Sequence, residues 1–288
     1  LNTLSARGKK IPKRDEHGVT IKKDGKTVYD FAPLSPKTVK NVHGVLHGAL
    51  RQAVINRYIP LNPADGDFCK LPKIIKEEIH PFDEVQISAF LKAIEGNKFE
   101  VIFIVTLFTG LREGEVLGLT WDCIDFQHNA IYINKQLQKT KKVGGTYCLA
   151  PTKNNRSRTI LTAPSVMALF RKQKSQQAQM RLLTGEAWNN SWDLVFTNEL
   201  GGHLSHFTVY IHFKRIVREL GMPEERFHDL RHSFAVASIE SGDDIKPVQS
   251  NLGHATASFT LDVYGHVSQK MRQQSADRME EFIQKVSG

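Results

Sequence analysis

His228, Arg231, His254 and Tyr264 fall within 37 residues of a 288-residue chain, and Arg112 stands far upstream in the run Thr109-Gly110-Leu111-Arg112-Glu113-Gly114-Glu115. Two guanidinium groups can hold the oxygens of a phosphate, imidazoles can donate or carry a proton, and a tyrosine hydroxyl can serve as a nucleophile. Such a set can move a phosphoryl group without metal, cofactor or nucleotide, because fixed cations meet the charge that develops around phosphorus. A nucleotide-gripping Gly-x4-Gly-Lys-Thr loop is not formed: Gly25-Lys26-Thr27 would need glycine at position 20, where Thr20 stands.

Spacing sharpens some of these candidates more than others. In His228-Asp229-Leu230-Arg231-His232 a helix puts His228, Arg231 and His232 on one face. Two histidines four apart are also the spacing of a zinc-protease helix. Here Asp229 stands where that helix needs glutamate, and Arg231 would set a positive charge beside the metal, so no metal ligand is assigned. Glu115 lies one helical turn beyond Arg112 and can hold or orient it; read alone, an ordinary surface ion pair fits as well. Tyr264, in Phe259-Thr260-Leu261-Asp262-Val263-Tyr264, would by itself read as packing.

The charge pattern suggests what such a site would act on. The net charge is +9, with residues 1–75 holding 14 Lys/Arg against 6 Asp/Glu, and residues 135–185 holding 11 basic residues and no acidic one. Two separate basic zones fit a long polyanion better than a small acidic substrate. Lys37, Lys40 and Arg51 in the first zone, and Lys139, Lys141, Lys142, Arg156 and Arg158 in the second, are candidate DNA-backbone contacts. Three cysteines, Cys69, Cys123 and Cys148, with no Cys-x-x-Cys pair, argue against a disulfide framework and for a reducing cytoplasm. The longest apolar stretch, Val101 to Leu111, is too short for a bilayer, and the start at Leu1 reads as a piece of a longer protein.

The elements that would position these residues read as mainly α with a small antiparallel β-sheet. Asp24-Gly25 turns a hairpin within Thr20 to Tyr29, and Ser35-Pro36 starts a helix whose stripe is Val39, Val42, Leu46, Ala49, Leu50, Ala53 and Val54. Prolines 60, 63 and 72 lead into a linker at 76–81. Asp83 and Gln86 form a capping box, Glu100 to Phe108 a helix, and Arg112 opens a short one. Strands follow at Cys123 to Phe126, Ala130 to Leu137, Thr146 to Leu149 and Arg158 to Leu161, with a Gly144-Gly145 turn. From Pro164 onward the pattern returns to helices, including Phe207 to Leu220, His228 to Ser241 and Lys270 to Val286.

Taken in order, the motifs resemble those of tyrosine recombinases of the phage-integrase family, in particular integrases of conjugative transposons. The resemblance implies Arg112 as the first arginine with Glu115 as its acidic companion, and Lys153 in Pro151-Thr152-Lys153-Asn154-Asn155-Arg156-Ser157-Arg158 as the hairpin lysine. It implies His228 and Arg231 as the His-x-x-Arg box, His254 as the second histidine and Tyr264 as nucleophile. Residues 82–288 would form the catalytic domain with a C-terminal tail helix, and residues 1–75 a partial helical core-binding domain, starting after any arm-binding module. Implied too are double-stranded DNA at attachment-type sites, a 3'-phosphotyrosyl intermediate, no cofactor, a dimer to tetramer on DNA through tail residues 271–288, and an accessory excision factor. The bacterial cytoplasm is the expected compartment, and a type IB topoisomerase-like nicking-closing enzyme is the alternative.

Overall fold

The computed structural model describes residues 2–15, 19–74, 81–140, 145–152, 155–253 and 269–287. The chain divides into two units, Leu1–Glu78 and Ile79–Gly288.

In the first unit, α1 (Asn2–Arg7) leads into β1 (Lys9–Pro12), which pairs antiparallel with β4 (Tyr29–Ala32) in the register Lys9↔Ala32. Between them, β2 (Lys22–Lys23) and β3 (Lys26–Thr27) form the hairpin that Asp24-Gly25 turns. α2 (Pro36–Ile55) starts on its sequence signals: Ser35 Oγ accepts from the Thr38 amide at 3.3 Å and Pro36 takes the first position. One turn apart, His43 and His47 tie the helix to the loop beyond it, through Ala64 O and Asp65 Oδ1, each at 2.8 Å. The apolar stripe of α2 is only partly covered. Val39 is buried and Leu50, Ala53 and Val54 half-buried, while Val42, Leu46 and Ala49 are exposed. Two short hairpins beside one helix offer little apolar surface to pack against it.

The second unit has one large core and a smaller apolar cluster. α3 (Glu84–Ala93) begins with the expected capping box: Asp83 Oδ1 accepts from the Gln86 amide at 2.7 Å, and Gln86 Oε1 from the Asp83 amide at 3.0 Å. α4 (Glu100–Thr109) is apolar nearly all round and buries Val101, Ile102, Phe103, Val105 and Leu107. A helix of that composition belongs inside, and it packs against α6 (Pro164–Thr184) and α8 (Phe227–Glu240). The rings of Phe90, Phe103, Phe213 and Phe227 meet tilted or edge-on with centroids 5.8–6.1 Å apart, joining α3, α4, α7 (His206–Glu219) and α8.

Beside this helical core, β5 (Ile124–Asp125), β6 (Ala130–Ile133) and β9 (Arg158–Leu161) form an antiparallel sheet in that order. β7 (Lys135–Lys139) and β8 (Tyr147–Pro151) pair separately, and α5 (Glu113–Leu117) packs on β7. The one strand expected over Ala130 to Leu137 is therefore broken at Asn134, because β6 takes its ladder from β9 and β7 from β8. α9 (Ile245–Leu252), which the sequence pattern does not single out, packs on α8 through Ala235, Ile239, Val248 and Leu252. α10 (Gln269–Ser287) leaves Met279, Phe282, Ile283 and Val286 exposed. Among the described residues no helix is long and apolar enough to cross a membrane.

Candidate active site

The site is built where helices end. α4 stops at Gly110, whose φ of 64° is left-handed, and a Cβ there would run into the Phe234 ring and stand 2.9 Å from Leu252 Cδ2. Only glycine lets the end of α4 approach α8 and the end of α9 this closely. Helix C-termini leave carbonyls unpaired and carry partial negative charge. Arg231, from α8, lies between two of them: Nη1 donates to Gly110 O and Nη2 to Leu252 O. It is 1% exposed, the largest fully buried side chain among the described residues.

Arg112 is the residue at the head of α5. Its amide donates to Glu115 Oε2 at 3.0 Å, its Nη1 to Glu115 Oε1 at 2.7 Å, and its Nη2 to Gly253 O at 3.3 Å. Glu115, 1% exposed, holds a second arginine as well. Arg158 Nη1 donates to Oε1 at 3.0 Å and Nη2 to Oε2 at 2.7 Å, and Arg158 Nε donates to Asn251 O at 2.6 Å. Burial alone would raise the Glu115 pKa. The hydrogen bonds and charge of Arg158, and then those of Arg112, outweigh it and hold the carboxyl at about 2.

Three guanidiniums thus reach three consecutive carbonyls at the end of α9: Arg158 to Asn251, Arg231 to Leu252 and Arg112 to Gly253. They come from β9, α8 and the head of α5. The chain continues from Gly253 into His254. Gly253 itself has φ 62°, and a Cβ on it would stand 3.1 Å from Arg158 Nη1.

His228 opens α8 on the solvent side and meets His232 edge-to-face at 4.8 Å between centroids. Desolvation against the packed surface beneath it, and then the Arg231 charge, lower the His228 pKa even though the residue is exposed. His232 is buried, and desolvation followed by the His228 charge pushes its pKa down to about 4. Asp229 caps the helix by accepting from the Arg226 amide at 2.7 Å, and Ser233 Oγ accepts from the Phe82 amide at 2.8 Å, anchoring α8. Among the described residues no group of three or more His, Cys, Asp or Glu is arranged to hold a metal ion.

Of the expected site residues, Arg112, Glu115 and Arg231 converge on the end of α9. Lys153, His254 and Tyr264 lie outside the described residues, as do Lys141, Lys142 and Gly144, and the linker at 76–81 apart from Pro81. Lys37, Arg51, Lys139 and Arg156 are exposed and Lys40 is half-buried. Arg158, expected as a DNA-backbone contact, has a side chain only 9% exposed, and its guanidinium faces Glu115 and Asn251. Strand parity could have indicated this, since Arg158 shares a face with buried Ile160 while Thr159 and Leu161 point outward.

Comparison with known proteins follows the same line. Residues 81–271 match the phage integrase family. The chain is 28% identical over 262 residues to a tyrosine recombinase XerC-like protein of Caldanaerobacter subterraneus subsp. tengcongensis, covering 86% of this chain and 67% of that one. It is 25% identical over 266 residues to the ICEBs1 integrase of Bacillus subtilis, covering 87% and 67%. The solved Tn1549 transposon integrase in complex with a circular intermediate DNA superposes with a TM-score of 0.68 at 23% identity, over 85% of this chain and 80% of that one. These relatives lend no support to a topoisomerase.

Proposed function

The chain belongs to the phage integrase family as a tyrosine-type site-specific recombinase, and from that premise we propose that Tyr264 is its nucleophile and that Arg112, Arg231, His228, His254 and Lys153 serve it. The phenolic oxygen of Tyr264 attacks the phosphorus of a DNA phosphodiester. The bond from phosphorus to the 5'-oxygen breaks and a 3'-phosphotyrosyl link forms. The 5'-oxygen leaves as a hydroxyl with a proton from the Lys153 ammonium, and a 5'-hydroxyl from a partner strand later reverses the step. Because the link conserves the phosphoester bond, the cycle needs no ATP.

The single observation that supports this reading is the convergence on α9. Arg112 and Arg231 are 119 positions apart, yet they donate to adjacent carbonyls, Gly253 O and Leu252 O, one residue ahead of His254. Two cations held at one point are what charge on the nonbridging oxygens requires. Arg231 is fully buried, so a phosphate reaches it only when its surroundings open on DNA binding. His228, its pKa lowered, is neutral at pH 7 and suited to take the phenolic proton or to donate to the phosphate.

The partner is double-stranded DNA at attachment-type sites, engaged by residues 1–75 and by the catalytic domain at 82–288 with 76–81 between them. The work is integration or excision of a mobile element in the bacterial cytoplasm, by a dimer or tetramer assembled through tail residues 271–288 and directed by an accessory excision factor. A nicked, end-labelled site duplex that traps the cleaved strand tests the chemistry. Wild type should give a covalent adduct mapping to Tyr264, and Tyr264→Phe none while still binding DNA. An adduct of normal yield from Tyr264→Phe removes the residue from this role.

A further inference from the structure

Arg158 carries more contacts than a buttress at the edge of a sheet needs, and each runs to a part of the site. Each Glu115 oxygen accepts one bond from Arg112 and one from Arg158: Oε1 at 2.7 and 3.0 Å, Oε2 at 3.0 and 2.7 Å. The Nε of Arg158 also holds Asn251 O at 2.6 Å. At the other end of its strand connection, Arg158 closes the β8–β9 segment on which Lys153 lies. We propose that Arg158 is a positioning residue for strand cleavage, fixing Arg112, through Glu115, against the last turn of α9 from which the chain runs to His254 and Tyr264. The inference rests on the recombinase reading and deepens it.

The reasoning is one of charge balance and geometry. With Arg158 present, the buried carboxylate has two cations and need not hold all of Arg112, which keeps Nη2 on Gly253 O. Without it, Arg112 is the one cation among the described residues left to neutralise Glu115 and is drawn into that pair, while Asn251 O loses its donor and the end of α9 its register. A lysine at 158 offers a point charge without the planar fork and cannot hold both Glu115 oxygens and Asn251 O together. Misplacement of a reacting group by about 1 Å can cost on the order of 10²-fold in rate.

The charged groups facing Glu115 among the described residues are Arg112 from the head of α5 and Arg158 from β9. From the other elements packed on α5, β7 directs Lys135 to Asp122 at 3.2 Å, and α7 directs His206 toward Glu113 at 3.7 Å. Losing Arg158 leaves burial opposed by Arg112 alone, so the Glu115 carboxyl titrates at higher pH.

The test is single-turnover cleavage of the nicked duplex by the full chain, between pH 5 and 8, for wild type, Arg158→Lys, Arg158→Gln and the double variant Glu115→Gln/Arg158→Gln. DNA affinity, its salt dependence and thermal melting are measured alongside. Both single variants should cleave about 10²-fold more slowly at pH 7. Their DNA affinity should stay within about threefold with an unchanged salt slope, since no phosphate contact is lost. Arg158→Gln should slow further toward pH 5, where wild type holds its rate. The double variant carries no buried carboxylate; it should melt above Arg158→Gln, lose the acid dependence and remain slow. If Arg158→Gln does not fold, Arg158→Lys, which keeps the charge beside Glu115, decides. A wild-type cleavage rate in the double variant, or single variants that melt lower but cleave at the wild-type rate at every pH, overturns the proposal. A salt slope reduced by about one in the single variants makes Arg158 a DNA contact instead. Wild type that forms no adduct at Tyr264 overturns the recombinase mechanism itself, a separate outcome.

Discussion

Arginines from one basic stretch of sequence take two different roles in this molecule. Arg158 is turned inward onto Glu115 and the end of α9, beside Arg112 and Arg231, whereas Arg156, two residues earlier, and Lys139, on the neighbouring hairpin, stand exposed. A buried cation is desolvated, so it must be paired on every side, and it thereby fixes whatever it pairs with. An exposed cation keeps its water, is screened by salt and remains free to exchange counterions for phosphates. A count of charges over 135–185 adds the two together; burial separates them.

The largest break in this contrast should come from Arg231→Met. Gly110 O and Leu252 O would lose a charged donor inside the protein, at a cost of about 3–5 kcal/mol, or roughly 10 °C in Tm for a domain of this size. Cleavage should fall below detection. A variant that melts like wild type would mean that Arg231 does not hold the ends of α4 and α9 together.

Next in size are the acid transitions, which occupy separate windows. Glu115 has a folded-state pKa near 2 against an ordinary 4.5, so its contribution, about 3 kcal/mol, is present above pH 4.5 and lost as pH falls toward 2. His232 is held near 4 from 6.5 by burial, so the folded state resists its protonation and stability declines earlier, as pH falls from 6.5 toward 4. Urea midpoints of wild type should decline through both windows. Glu115→Gln should start lower at pH 7 and lack the second decline, and His232→Phe should lack much of the first. Parallel curves for all three proteins would contradict the assignment of either group.

How much of this could be read from the chain depended on range. The Asp83–Gln86 capping box, the Ser35 cap, the Asp24-Gly25 turn and the span of β9 depend on neighbours within a few residues, and the structure has them as the sequence suggested. Arg112 and Glu115 are three apart, so their pairing was legible as well. Arg158 meets Glu115 across 43 residues and Asn251 across 93, and spacing carries no signal at that range. α9 is short, polar and contains Pro247, which hid it, although Asp244 before it and Gly253 after it are usable boundary residues. The break at Asn134 depends on which strand each half pairs with, which alternation within one strand does not encode.

The smallest effect on the fold belongs to the exposed side of the comparison, and it is the sharpest test of the division. Lys139→Ala and Arg156→Ala alter solvated side chains, so each should change stability by no more than about 0.5 kcal/mol. Should both meet DNA phosphates, the slope of log affinity against log salt should become shallower by about 0.9 for each, roughly 1.8 for the pair. The rate of cleavage at saturating protein should hold, because these side chains neither touch Glu115 nor reach the carbonyls of α9. Arg158 variants should show the reverse pattern, an intact salt slope with slow chemistry. If Lys139 and Arg156 behave instead like Arg158, burial in the unbound protein is no guide to the role of a cation, and the contrast between paired and solvated arginines fails for this site.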